Sequence, residues 1–187
     1  MTDKDFNELL DIFELRPSSY KYTPLQRVND VAYEKSWQQE ALLEKGYEIV
    51  HSAQTKHHET VIVYRSLCND ELDDTHINLK ARIISTRGIK PFSPRMFLVY
   101  DPDDSSLDIA DIQVDVAEAN RGYGSIFMAA MFKLIKNLPA PVTRISGWLS
   151  PVDAGHLDRA VHFYKKHGFT YFSQKNEILW VNPMGNR

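Results

Sequence analysis

The stretch that decides the fold runs from Ile112 to Met128 and reads IQVDVAEANRGYGSIFM. Its first half alternates apolar and polar residues, with Ile112, Val114 and Val116 on one face, and this pattern predicts a β-strand through Val116. A short polar turn follows, and the apolar run after Gly124 predicts a helix. The glycines of the loop carry no Cβ, so the backbone there can lie close to another molecule.

A loop with free amides at the positive end of a helix is typical of a phosphate site. A P-loop would require Lys and then Ser or Thr after its last glycine, whereas Ser125 and Ile126 follow Gly124. A dinucleotide-binding loop would require a third small residue at position 127, which is Phe127. The residues therefore argue against both of these loops.

The run Arg121-Gly122-Tyr123-Gly124 resembles the acyl-CoA pyrophosphate loop of the GCN5-related N-acetyltransferase (GNAT) superfamily, Arg/Gln-x-x-Gly-x-Gly/Ala. Arg121 and Gly124 match its first and fourth positions, and Ile126 departs from it at the sixth. A second block at residues 160–169, AVHFYKKHGF, resembles the late helix of the same family, Ala-x-x-Leu/Phe-Tyr-x-x-x-Gly-Phe. Leu157 departs from it, since the family usually has Asn there.

The resemblance, which covers roughly residues 107–172, implies a mixed α/β acyl-CoA N-acyltransferase fold. Such a fold has a twisted, mostly antiparallel sheet with helices on both sides and two splayed central strands. At 187 residues the whole chain, 1–187, is expected to form one domain. The implied function is transfer of the acetyl group of acetyl-CoA to a primary amine by direct attack. The acceptor, a small-molecule or peptide amine, and the length of the acyl group stay open.

The resemblance also assigns residues to the acetyl-CoA site. The loop amides would bind the pyrophosphate, and the backbone of the strand would pair with the pantetheine arm. The predicted cofactor-binding residues are Val114, Val116, Arg121, Gly122, Tyr123, Gly124, Ser125 and Ile126.

Two residues are candidates for acid–base catalysis. Tyr164 matches the family's tyrosine that protonates the leaving sulfur, and a phenol with an ordinary pKa of about 10 is protonated at neutral pH. Packing, or holding the sulfur without moving a proton, are the alternative roles. Asp111 is the first candidate for the general base and Asp115 the second, although each is also explained as a structural or surface carboxylate. A strand bulge would change the face on which either lies.

The net charge and the composition limit the partners, the cellular compartment and the metal sites that the sequence predicts. The net charge is −3, with 22 basic and 25 acidic side chains, which favours neither a nucleic-acid partner nor an anionic membrane. The single Cys68 fits a reducing cytoplasm, and the polar start of the chain is unlike a signal peptide. No His or Cys spacing predicts a metal site. A homodimer stays open.

Two alternatives compete with the enzyme hypothesis. One is a module of the same fold that binds CoA for regulation or interaction without turnover. The other is a toxin-type acetyltransferase acting on charged tRNA, which the acidic net charge disfavours. Upstream of the motifs the sequence predicts helices at residues 2–13, capped by Thr2, and from Thr23 to Glu44, and these would shape the acceptor side.

Overall fold

The computed structural model describes residues 21–67, 75–150 and 154–182. The helix predicted for residues 2–13 lies outside these ranges. In chain order the elements are α1 (Val31–Glu44), β1 (Tyr47–Gln54), β2 (Thr60–Ser66), β3 (His76–Ser85), β4 (Gly88–Ile89), β5 (Arg95–Asp101), β6 (Ser106–Gln113), α2 (Tyr123–Leu134), β7 (Arg144–Trp148), α3 (Ala154–Lys166), β8 (Thr170–Phe172) and β9 (Glu177–Val181).

The nine strands form one sheet in the order β1-β2-β3-β5-β6-β7-β9-β8, with β4 paired to the end of β3. Among the described strands, β6 and β7 are the parallel pair and all other pairs are antiparallel. The crossover between β6 and β7 runs through α2, as a parallel connection requires. The predicted class, a mixed α/β fold with a mostly antiparallel sheet, is confirmed.

Two hydrophobic cores lie on opposite faces of this sheet. On one face Leu42 of α1 packs with Ile62, Tyr64 and Ile84. On the other face the fully buried Phe127 of α2 belongs to a larger cluster drawn from the alternate residues of the same strands. Burying each large apolar side chain contributes on the order of 2 kcal/mol, so the sheet is stabilised from both sides.

The two parallel strands separate after four paired residues. Their register runs from Ser106 opposite Arg144 to Ile109 opposite Gly147, and β6 then continues to Gln113 with only β5 beside it. The register with β5 shifts here, because Phe97 faces Asp111 while the next residue of β5 faces Ile109. The extra residue is a bulge, which bends the strand. The predicted splay of the central strands is therefore present.

Two predicted boundaries were wrong. The strand predicted through Val116 ends at Gln113, and Val116–Glu118 forms a 3₁₀ turn. The side chain of Asp115 accepts the N–H of Ala117 at 2.9 Å, which favours this turn over an extended strand.

The second wrong boundary is the start of the first described helix. α1 begins at Val31 rather than at Thr23, because Asp30 caps it by accepting the N–H of Tyr33 at 2.9 Å. The backbone of Thr23 pairs with Ile89 instead.

Candidate active site

The loop before α2 presents open backbone. Gly122 precedes the helix with a φ of +95°, which glycine adopts without strain, and no side chain caps the helix. In the described chain no atom lies within 4 Å of where a Cβ on Gly122 would be. The first four amides of a helix have no intrahelical acceptor, and here these belong to residues 122–125. The N–H of Ile126 already donates to the carbonyl of Gly122, at 3.1 Å.

Because the Ile126 N–H is used inside the helix, it affects how the family's loop motif aligns with this sequence. The family's loop motif requires small residues at its fourth and sixth positions. When these are aligned with Gly122 and Gly124, both positions hold glycine, and the first position of the motif aligns with Ala119. The predicted placement from Arg121 to Ile126 puts the last small position one turn into the helix. The binding role of Ile126 stays a prediction, and the structure offers the amides of residues 122–125 in preference.

The loop is held against the late helix. A Cβ on Gly124 would lie 3.1 Å from two ring carbons of Phe163, so glycine allows the start of α2 to pack directly on α3. Ser125 Oγ lies 3.1 Å from Nε2 of His167, whose pKa is lowered by burial and by the charge of Lys166. The two sequence blocks that carry the family resemblance are thus in direct contact.

Beneath the loop lies a network of charged side chains, which we call the buried ion-pair network. Lys90 Nζ lies 2.8 Å from Glu59 Oε1 and 2.6 Å from Glu118 Oε2. Arg121 joins both carboxylates, with Nη1 3.2 Å from Glu59 Oε1 and Nε 2.8 Å from Glu118 Oε2. The side chains of Lys90 and Glu59 are only 3% and 6% exposed. Two cations and two anions therefore neutralise each other at the base of the loop.

Tyr123 closes the network from inside the core. Its hydroxyl donates to Glu59 Oε2 at 2.6 Å and accepts from Lys90 Nζ at 3.0 Å. Burial, followed by the hydrogen bond to Glu59, raises the pKa of Tyr123 far above its ordinary value. Burial opposes ionisation of Glu59, but hydrogen bonds from Lys90 and Tyr123 and the charges of Lys90 and Arg121 leave its pKa below the ordinary value. The phenol stays protonated and the carboxylate ionised.

The network changes what the predicted site residues can do. The guanidinium of Arg121 is engaged by two carboxylates, and the side chain of Tyr123 points into the core, so the loop faces outward mainly with backbone amides. Sequence reasoning missed Glu59, Lys90 and Glu118. Of these three, Glu118 could have been found from the sequence. It lies three residues before Arg121, and oppositely charged residues at this spacing form ion pairs on helical backbone.

The charge of one predicted catalytic residue, Asp111, influences the other, Tyr164. Tyr164 is 8% exposed and packs edge-on against Phe163 and Phe169. Burial, followed by the negative charge of Asp111, raises the pKa of Tyr164 to about 12. Asp111 is exposed on the part of β6 that has no β7 partner, and its Oδ2 accepts from Gln113 Nε2 at 2.9 Å. The negative charge of Asp111, on the part of β6 without a β7 partner, therefore acts on the buried phenol of Tyr164, which stays protonated.

The other predicted residues lie nearby with different surroundings. Val114 follows the end of β6 and packs against the core. Val116 starts the 3₁₀ turn, so neither valine is part of a strand edge. Asp115, the second candidate for the base, caps that turn. Leu157 of α3 also packs on the core, where the family usually has a polar residue.

The described ranges, residues 21–67, 75–150 and 154–182, show neither a metal cluster nor a membrane-spanning helix. There, no group of three or more His, Cys, Asp or Glu side chains is placed to hold a metal ion. Likewise, none of the helices in the part of the chain that the structure covers is long and apolar enough to cross a bilayer.

No protein-family model matches the sequence. The chain is similar to the uncharacterised protein YocC of Bacillus subtilis (strain 168), with 29% identity over 163 residues, 84% of this chain and 92% of that one. Among solved structures it is similar to a nourseothricin acetyltransferase, with 15% identity and a TM-score of 0.39 over 72% of this chain and 84% of the other. At this TM-score, function has to be argued from the site itself.

Proposed function

We propose that the protein is an acetyl-CoA-dependent N-acetyltransferase of the GNAT type, which transfers acetyl to a primary amine by direct attack. One observation carries this proposal. β6 and β7 separate beyond Ile109, and the chain leaving β6 leads within ten residues to the open amides at the start of α2. Among the described residues, a strand edge without a partner strand and a helix start without a side-chain cap thus follow each other along the chain.

The residues present fit an acyl-CoA ligand. The amides of residues 122–125 can bind a pyrophosphate at the positive end of α2, and the open space over Gly122 allows close approach. The edge of β6 from Ala110 to Gln113 has no β7 partner and can pair with the amides of a pantetheine arm. This edge replaces the predicted role of Val114 and Val116. The paired charges of Arg121 hold the loop in shape rather than supplying a free cation.

Acetyl-CoA would supply an acetyl group activated as a thioester. We assign to Asp111, which is exposed on the open part of β6, the role of accepting the proton that the amine must lose before it attacks. A backbone N–H on the open edge of β6 is suited to stabilise the negative charge that develops during attack. Tyr164, with a pKa raised to about 12, stays protonated at neutral pH and can donate its proton to the departing sulfur.

Thermal unfolding with acetyl-CoA, CoA, ATP or NAD tests the binding half of the proposal. A ligand that binds only the native state raises the midpoint, by an amount equivalent to about 2.7 kcal/mol at a hundred times its dissociation constant. We expect a rise with acetyl-CoA and CoA alone. No rise with either, at concentrations well above micromolar, would make the glycine loop purely structural and refute the proposal.

The catalytic half is tested by Tyr164→Phe with thiol release as the readout. The variant keeps the ring that packs against Phe163 and Phe169, so we expect the acetyl-CoA shift to persist while turnover falls by about a hundredfold. Unchanged turnover would remove Tyr164 as the general acid. A CoA shift in a wild-type protein that acetylates no amine would favour the alternative, a binding module without turnover.

A further inference from the structure

A cavity of about 410 Å³ lies beside α1, on the face of the sheet opposite α2. Trp37, Tyr64 and Phe92 give it aromatic walls, and Lys45, Arg82 and Lys90 are its charged lining residues. None of the described residues that line it is acidic. We propose, on the basis of the acetyltransferase function proposed above, that this cavity binds the anionic end of the acceptor, an amine with an apolar or aromatic body and a carboxylate.

The orientation of Arg82 is fixed from behind. Its Nη1 donates to Oε1 of Gln38, and Gln38 Nε2 donates to Oε1 of Glu34 at 2.6 Å. Glu34 is fully buried, and its other oxygen accepts the N–H of Gln26 at 2.7 Å. The guanidinium therefore reaches Glu34 only through the neutral Gln38. Within the part of the chain that the structure describes, Gln38 is the hydrogen-bond partner of this guanidinium, whose remaining N–H donors can bind a carboxylate through two parallel hydrogen bonds.

Lys90 and Lys45 differ in how far their charges are available to an anionic ligand in the cavity. Lys90 also belongs to the buried ion-pair network, where Glu59 and Glu118 already compensate its charge. Lys45 is exposed at the rim, just after the end of α1. The ring of Tyr64 lies under Arg82, 5.8 Å from ring centre to guanidinium carbon. Arg82 is therefore the principal anion-binding group of the cavity, with an aromatic surface beside it.

The cavity and Asp111 lie on the same face of the sheet. Asn78 of β3 pairs with Phe97 of β5, and Phe97 pairs with Asp111 of β6, so these three side chains project from the same face of the sheet. Arg82 lies four residues after Asn78 on β3, and since side chains alternate along a strand, it projects from that face as well. Two strand spacings and four residues along the strand put the Cα atoms of Arg82 and Asp111 roughly 16 Å apart. When each side chain extends about 3 Å along the sheet toward the other, the amine and the carboxylate of a bridging acceptor are about 10 Å apart, the reach of an extended tripeptide.

The experiment uses Phe, Gly-Phe and Gly-Gly-Phe, each as the free acid and as the carboxamide. Binding is measured by calorimetry without CoA, and acetylation by thiol release. We expect Gly-Gly-Phe to be the best of the series and to exceed its amide by at least about tenfold in kcat/KM, because a hydrogen bond to a charged group contributes this much. Arg82→Gln should abolish the preference for the acid and leave the acetyl-CoA shift unchanged.

The matched control is Arg87→Gln, which alters an exposed arginine that stacks on Tyr22 outside the cavity. This variant should keep the preference for the acid. Equal use of acid and amide by the wild type, or a preference that survives Arg82→Gln, overturns the acceptor assignment. So does a protein that binds acetyl-CoA but none of these acids, which leaves the proposed function standing. Binding of the acids with no acetyl-CoA shift has the opposite meaning: the cavity site stands and the acetyltransferase function fails.

Discussion

Replacing Lys90 tests whether the buried ion-pair network holds the loop. Lys90→Met keeps most of the apolar stem but removes the ammonium that lies 2.8 Å from Glu59 and 2.6 Å from Glu118. Two carboxylates then share the partly exposed Arg121 as their remaining cation within the network. Leaving a buried charge without its partner costs about 3–5 kcal/mol, and we expect a loss of this size in the free energy of unfolding.

The measurement is urea unfolding at neutral pH, with the change in midpoint read at an unchanged slope. The control is Arg65→Met, which breaks the ion pair between Arg65 Nε and Glu48 Oε2. This pair has the same 2.6 Å distance as Lys90–Glu118, but its two side chains are 23% and 33% exposed. It should cost less than about 1 kcal/mol. Adding Glu59→Gln to Lys90→Met should restore part of the stability, since one orphaned charge is removed. A Lys90→Met loss no larger than that of the control would refute the reasoning.

Three further predictions concern pH, packing and the base. The pKa of Glu59 lies below its ordinary value, so its contribution to stability is complete above pH 4.5 and is lost as the pH falls through the folded-state pKa. The free energy of unfolding, measured in urea at a series of pH values below 4.5, should decline toward acid pH, and Glu59→Gln should make this decline shallower. The same decline in the variant would contradict the role of the Glu59 carboxylate. Gly124→Ala should destabilise the protein by about 1–3 kcal/mol through its clash with Phe163, and Phe163→Leu in the same chain should recover much of this. Asp111→Asn should keep the acetyl-CoA shift and lower turnover most below the pKa of the amine; a pH–rate profile parallel to that of the wild type would exclude Asp111 as the base.

The sequence predicted the parts of the fold that depend on local pattern. The alternating apolar residues from Ile112 predicted a strand, and β6 covers the first part of it, to Gln113; the apolar run after Gly124 predicted a helix, and α2 begins at Tyr123. The end of β6 could not be predicted, because Asp115 bonds to the backbone two residues later and stops the strand while the apolar alternation continues. The same competition placed the start of α1 at Asp30 instead of Thr23.

The candidate site was predicted where it depends on adjacent residues and missed where it depends on distant ones. Gly122, Gly124 and Tyr164 follow from two short blocks. Glu59 lies 62 positions before Arg121, and Lys90 28 positions before Glu118, so no periodicity links them. In the sequence both are ordinary charged residues near turns, and only the sheet brings them under the loop.

The buried ion-pair network also has a consequence for how the chain can be divided. Residues 107–172 contain both motif blocks but do not form a portable module. Cut from the rest, that segment would keep Glu118 and Arg121 but lose Lys90 and Glu59, and with them the strands that cover Tyr123. The loop before α2 is therefore assembled only when the N-terminal half of the sheet has folded beside it, and graft or fragment designs must carry that half along.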